Sequence, residues 1–185
     1  MSSTTRPFDL VVWGATGFAG QLVADHLTGQ YSPDSLDVAL GGRNEAKLEG
    51  IVEEVTNEAD DWDGIPVVVG DATEPATLRD MAAQTDVVCT TVGPYTTYGT
   101  GLVEACIETG TDYCDLTGEI NWVREMIDRF NDEAVAAEKK IVHSCGFDSI
   151  PADLGTKLGQ PFARDWFGEP CEMVRVYLED GEAGA

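Results

Sequence analysis

Lysine is scarce in this chain. Lys47, Lys139, Lys140 and Lys157 are its only lysines, and 34 acidic residues stand against 11 basic ones, a formal net charge of −23 over 185 residues. Such a surface repels phosphate backbones and anionic headgroups, which argues against nucleic acid and membrane partners. It is also the composition expected at molar salt, where a Debye length of about 3 Å screens the self-repulsion. A halophilic source with an acidic, carboxylate-covered surface is therefore expected.

Three further things are lacking. The five cysteines, Cys89, Cys106, Cys114, Cys145 and Cys171, show no C-x-x-C spacing and are odd in number. This points to free thiols in a reducing compartment and offers no metal-ligand set. No apolar run approaches the length of a membrane span, and no charged and apolar leader precedes the first strand, so a cytoplasmic location without membrane insertion is expected. No G-x-S-x-G and no convincing Cys–His spacing occurs, which leaves the catalytic residues unassigned.

What is present is a series of short apolar runs alternating with helical patterns. "FDLVVWG" (8–14), "LDVALGG" (36–42), "IPVVVGD" (65–71), "TDVVCTTVG" (85–93), "TDYCDL" (111–116) and "KIVHSCGF" (140–147) read as strands. Their cores are continuously apolar, as in a parallel sheet covered on both faces. The first helix is expected to face the sheet with Ala19, Leu22, Val23, His26 and Leu27, and the long fifth helix with Val123, Ile127, Phe130, Ala134 and Ala137. "DWDG" (61–64) reads as an exposed acidic loop. The fold class is α/β, a doubly wound parallel-sheet Rossmann fold. "CEMVRVYLED" (171–180) reads as one more strand, the start of a second, α+β substrate domain, so the expected domains are residues 1–160 and 161–185.

The segment "VVWGATGFAG" (11–20) carries Gly14, Gly17 and Gly20 between a strand and a helix. One glycine permits the turn, one lets a pyrophosphate approach the backbone, and one lets the helix pack on the sheet. The helix N-terminus supplies amides and dipole for phosphate, with Ala15, Thr16 and Phe18 shaping the loop. The spacing G-x-x-G-x-x-G departs from G-x-G-x-x-G, and a plain strand-to-helix turn is the alternative. After the second strand stands "LGGRN", where an NAD enzyme carries a carboxylate for the ribose hydroxyls. Arg43 suits a 2′-phosphate instead, which favours NADP over NAD.

Asp71 and Ala72 are expected on the adenine side, with helix capping as the other reading of Asp71. Gly93, Pro94 and Tyr95 end the fourth strand, where strand order should reverse and a crevice open. Tyr95 and Tyr98 suit either a place beside the nicotinamide ribose or core packing. Glu119, Asp148, Cys145 and His143 fall at strand ends on the same edge; His143 reads more readily as a core histidine. Asp115 and Asp148 read equally well as helix caps.

In order, "GATGFAG", "GGRNEAKL", "TTVGPYTTYGTGLVEACIETGTDYCDLTGE" and "CGFDSIPADLG" resemble the saccharopine dehydrogenase-like oxidoreductases, a group that includes the trans-acting enoyl reductases of lipid synthesis. The resemblance spans residues 8 to 159. It implies an NADP-binding Rossmann domain followed by a substrate domain, and hydride transfer with an imine, amino-acid or enoyl-lipid substrate. It carries over to Gly14, Gly17, Gly20, Arg43 and the Gly93–Pro94–Tyr95 loop. The competing expectation is a non-catalytic NADP sensor, favoured by the lack of an assured acid/base pair. A small-molecule substrate is the expected partner, with pairing through exposed helices to a homodimer left open.

Overall fold

The computed structural model describes residues 6–57, 59 and 61–177. Compact packing divides the chain into two units between Cys145 and Gly146.

The first unit contains six strands: β1 (Phe8–Trp13), β2 (Val38–Gly42), β3 (Val67–Val69), β4 (Thr85–Thr90), β5 (Asp112–Asp115) and β6 (Ile141–Val142). Five helices connect them: α1 (Phe18–Gln30), α2 (Glu45–Asn57), α3 (Pro75–Ala82), α4 (Tyr95–Thr109) and α5 (Ile120–Ala136). The sheet runs β3-β2-β1-β4-β5-β6 with every neighbouring pair parallel. This is the doubly wound order, and chain direction across the sheet reverses between β1 and β4.

Successive residues of a strand point to opposite faces. Val11 and Trp13 pack with Leu78 of α3, Leu102 of α4 and Trp122 of α5. Val12, between them, packs with Ala24 of α1 and with Leu48 and Val55 of α2. Both faces of the central strands are thus covered, which is why those strands are continuously apolar.

Helix phase differs from the sequence expectation only in part: Val23 and Leu27 of α1 and Val123, Phe130, Ala134 and Ala137 of α5 pack on the core as expected, while other positions shift. α1 buries Gly20, Ala24 and Thr28 and leaves Leu22 exposed, because the helix lies so close to β1 that only small residues fit beneath it. A β-carbon on Gly20 would overlap the carbonyl oxygen of Gly14 and come within 2.8 Å of Ala15 Cα. α5 turns Trp122, Met126, Phe130 and Ala134 inward, with Ile127 exposed. Trp122 claims the central position by lying on Gly99 of α4 and donating Nε1–H to Thr100 Oγ1 at 3.0 Å. Trp62 departs from the expected exposed loop: it is buried, with Nε1–H donating to Tyr31 O at 3.0 Å.

The second unit contains α6 (Ile150–Phe167), which ends at Gly168 in the left-handed region (φ 82°). Its Leu154, Leu158, Phe162 and Trp166 are exposed at four-residue spacing, and Phe162 stacks on Trp166. Residues 171–177 form no strand; the rest of the strand expected over 171–180 lies outside the described residues. No described helix is long and apolar enough to cross a membrane.

Candidate functional site: a cleft at the carboxyl edge of the sheet

At the reversal point β1 and β4 end side by side, and their following turns diverge. Gly14 takes φ +93°, a conformation that disfavours any residue with a β-carbon, and a β-carbon there would also press on Val92 Cγ2 at 2.6 Å. Thr91 ties the two turns together. Its amide donates to Trp13 O at 2.9 Å and its hydroxyl to Gly14 O at 3.2 Å.

A cleft of about 250 Å³ opens above these turns. Gly14, Thr16 and Gly17 form one wall, Arg43, Asp71 and Ala72 the far end, and Gly93 lies opposite. Seven residues expected from the sequence thus come together. Trp13, Gly42, Thr91, Val92 and Tyr98 also line it. All but Tyr98 had no separate signal, since each reads as ordinary strand or turn sequence.

Five further expected residues stand outside that lining. Ala15 is fully buried, Gly20 lies beneath the helix, and Phe18 is 81% exposed on α1. Pro94 follows a cis peptide from Gly93 and caps the start of α4. Tyr95 is buried, donates its hydroxyl to Thr90 O at 3.1 Å and packs on Trp122. Tyr98, one helical turn later, faces the cleft.

The chemistry of the cleft is asymmetric. Gln21 is the first α1 amide to find an acceptor four residues back, Gly17 O at 2.9 Å. Gly17 N is held by Gly14 O at 3.0 Å, whereas the amides of Phe18, Ala19 and Gly20 belong to an open helix end; Gly17 provides no capping side chain, and the first turn has no acidic residue. Thr73, whose amide (2.8 Å) and hydroxyl (2.7 Å) both donate to Asp71 Oδ1, holds the Asp71 carboxyl below its ordinary range, and the charge of the exposed Arg43 at the far end adds a smaller pull in the same direction. Asp71 therefore organises the turn before α3 as well as lining the cleft.

A second polar group lies at the ends of β5 and β6. Asp115, 2% exposed, accepts from Thr117 N (3.0 Å) and Ser144 N (2.9 Å) through Oδ1. Its Oδ2 accepts from Tyr113 OH at 2.9 Å and meets His143 Nδ1 at 2.6 Å. Burial opposes its charge, but these bonds outweigh it and hold the carboxyl below its ordinary range. His143 packs edge-on against Trp122 and Tyr113. Cys145 is exposed as a residue, yet partial burial of its thiol, and after it the nearby Asp115 carboxylate, push the thiol up. Asp148 is exposed in the second unit, in the turn before α6.

Residues 10–142 match the model of the saccharopine dehydrogenase NADP binding domain. Over 177 residues the chain is 45% identical to a trans-acting enoyl reductase of Mycobacterium bovis, covering 95% of this chain and 41% of that protein. A putative trans-acting enoyl reductase of Mycobacterium tuberculosis is 46% identical over 154 residues, covering 83% and 36%. The chain thus spans less than half the length of these curated relatives. Among solved structures, apo saccharopine dehydrogenase (L-Glu forming) from Saccharomyces cerevisiae superposes with a TM-score of 0.67 at 22% identity, covering 85% of this chain and 32% of that one. That likeness establishes the fold.

Proposed function

The chain belongs to the saccharopine dehydrogenase NADP-binding domain family, and from that premise we propose that it is the coenzyme-binding part of an NADP(H)-dependent reductase. The observation that carries this reading is the meeting, in one cleft, of the open α1 N-terminus and the exposed Arg43 guanidinium. The residues fit the coenzyme. A diphosphate needs close approach to backbone amides, which the turn at Gly14 and Gly17 allows. A 2′-phosphate needs a fixed cation and no competing carboxylate at the end of β2, where the sequence reads Gly42, Arg43, Asn44. Trp13 lines the cleft, and its buried Nε1–H has no hydrogen-bond partner, alone among the buried side-chain nitrogen and oxygen atoms of the described residues.

In this reading Gly14, Thr16 and Gly17 hold the diphosphate, Asp71 and Ala72 the adenosine end, and Gly93 and Tyr98 the nicotinamide end. The bound coenzyme supplies the hydride; the chain orients it and excludes water. NADP is the expected coenzyme and NAD the weaker one. The substrate proposed is an enoyl-lipid intermediate, supported by the 45% identity to trans-acting enoyl reductases, with an imine or amino acid as the alternative. Coenzyme binding is assigned to residues 1–160, and residues 161–185 to the start of the substrate-binding part. A cytoplasmic setting at high salt completes the proposal.

Calorimetric titration of the chain with NADPH and NADH tests the coenzyme; saturable heat with NADPH at lower concentration than NADH is expected. Absence of heat with both would end the proposal. Turnover of enoyl thioesters against imines by the full-length gene product then separates the two substrate classes.

A further inference from the structure

The β5–α5 turn reads "DLTGE", and every second residue of it fastens backbone. Asp115 accepts from Thr117 N, Thr117 Oγ1 accepts from Glu119 N at 3.0 Å, and Glu119 reaches across to α4. Glu119 Oε1 accepts from Tyr95 N at 2.6 Å, and Oε2 from Thr96 N at 2.9 Å. Both leading amides of a 15-residue helix are thus taken by one carboxylate of the chain itself. Burial opposes the charge of Glu119, yet the Thr96 and Tyr95 amides outweigh it and keep the carboxyl below its ordinary range.

All five helices of the first unit start at the carboxyl edge, and the two that follow the strands at the reversal point, α1 after β1 and α4 after β4, differ. The N-terminus of α1 is open, while that of α4 is filled by a fixed anion. The filled one carries Tyr98, which lines the cleft, and follows directly on Gly93, which also lines it. Without Glu119, two amides and a helix dipole would stand free beside the proposed nicotinamide end. They would offer a competing seat for the diphosphate and loosen the segment that bears Tyr98.

We propose that Glu119 is a positioning residue that closes the α4 N-terminus, holds the Gly93–Tyr98 segment, and so fixes the orientation in which the dinucleotide lies. This rests on the proposed NADP(H) reading of the cleft. Glu119 acts only through Tyr95 N and Thr96 N and need not touch the coenzyme. Its removal should therefore affect the nicotinamide half and spare the adenosine half.

The test compares whole coenzyme with half of it. NADPH and adenosine 2′,5′-bisphosphate, the adenosine half bearing the 2′-phosphate, are titrated into the unaltered chain, Glu119→Ala and Glu119→Gln. Loss of two charge-assisted hydrogen bonds should weaken NADPH about tenfold or more in Glu119→Ala. The bisphosphate should stay within about twofold, and Glu119→Gln, which keeps one acceptor, should fall between. A general loosening of the fold would weaken both ligands together, and that result overturns the inference, as does unchanged NADPH affinity. Should Glu119→Ala not fold, the same split in Glu119→Gln decides. If the unaltered chain binds neither ligand, the reading of the cleft fails first, and this inference falls with it.

Discussion

Gly20 rests directly on the peptide that joins Gly14 to Ala15, with no room between them for a methyl group. The same contact sets how near α1 comes to β1 and where its first amides lie. Gly20→Ala should destabilise the chain by about 3 kcal/mol, because the obstruction is backbone that cannot yield cheaply. It should also weaken NADPH binding by moving the helix end. Gly50, inside α2 with open space where its β-carbon would be, is the control. Gly50→Ala should stabilise by about 0.8 kcal/mol through helix propensity alone. Urea unfolding of both variants measures the contrast, and equal behaviour would remove the close-packing argument.

Arg43 is exposed and lines the cleft beside Asp71. Arg43→Ala should cost about 2 kcal/mol in NADPH binding, the value of a hydrogen bond to a charged group, and leave NADH nearly unchanged. Arg43→Lys should recover part of the loss, since an ammonium keeps the charge without the planar fork. Fluorescence titration with both coenzymes gives the ratio directly. An equal loss for NADPH and NADH would place Arg43 away from the 2′-phosphate.

The layers of the fold were legible because continuous apolar strands and alternating helical patterns leave few other architectures. The phase of individual helices was not. In α1 the most apolar stripe contains Leu22 and Leu27, yet the buried residues are Gly20, Ala24 and Thr28, with Leu27 only partly buried and Leu22 exposed. Steric closeness, invisible in hydropathy, chose the face. In the cleft, the glycines and Arg43 were legible from spacing. Tyr95 and Tyr98 were not distinguishable, for one turn of helix decides which meets Trp122 and which meets the cleft. The Asp115–His143 pair joins residues 28 apart, and no local spacing announces it.

That pair predicts an acid limb of stability. The folded carboxyl of Asp115 lies below its ordinary value, so the unfolded chain takes up its proton first as pH falls. The contribution is full above the unfolded value of about 4 and is lost as pH drops through the folded one. Asp115→Asn should lower stability at neutral pH by about 2 kcal/mol, through lost charge-assisted bonds to Ser144 N, Thr117 N and His143. The difference between variant and parent should shrink below pH ~4. Thermal melts across pH 2.5 to 7 measure it. A difference that stays constant with pH would mean that the carboxyl is not preferentially ionised in the fold.

Charge gives the last expectation. A net charge of −23 on 185 residues works against compaction, and salt bridges offset little of it. Arg124–Asp128 is an exposed pair four residues apart on one helix, and Arg79–Glu108 is half-exposed. Pairs of this kind contribute at most about 1 kcal/mol each. Arg6, whose guanidinium donates to the carbonyls of Thr85, Thr109 and Gly110 and to the Thr111 hydroxyl, has only a long pair with the exposed Asp86, Nε to Oδ1 at 3.8 Å. Screening by added salt should therefore offset the repulsion. Going from molar salt to ~0.1 M lengthens the Debye length from about 3 Å to about 10 Å, which brings neighbouring surface carboxylates within range of one another. The melting temperature should fall steeply over that interval. Potassium and sodium chloride should act alike at equal ionic strength if screening is the cause. Unchanged melting at ~0.1 M would separate the acidity of the chain from any dependence on salt.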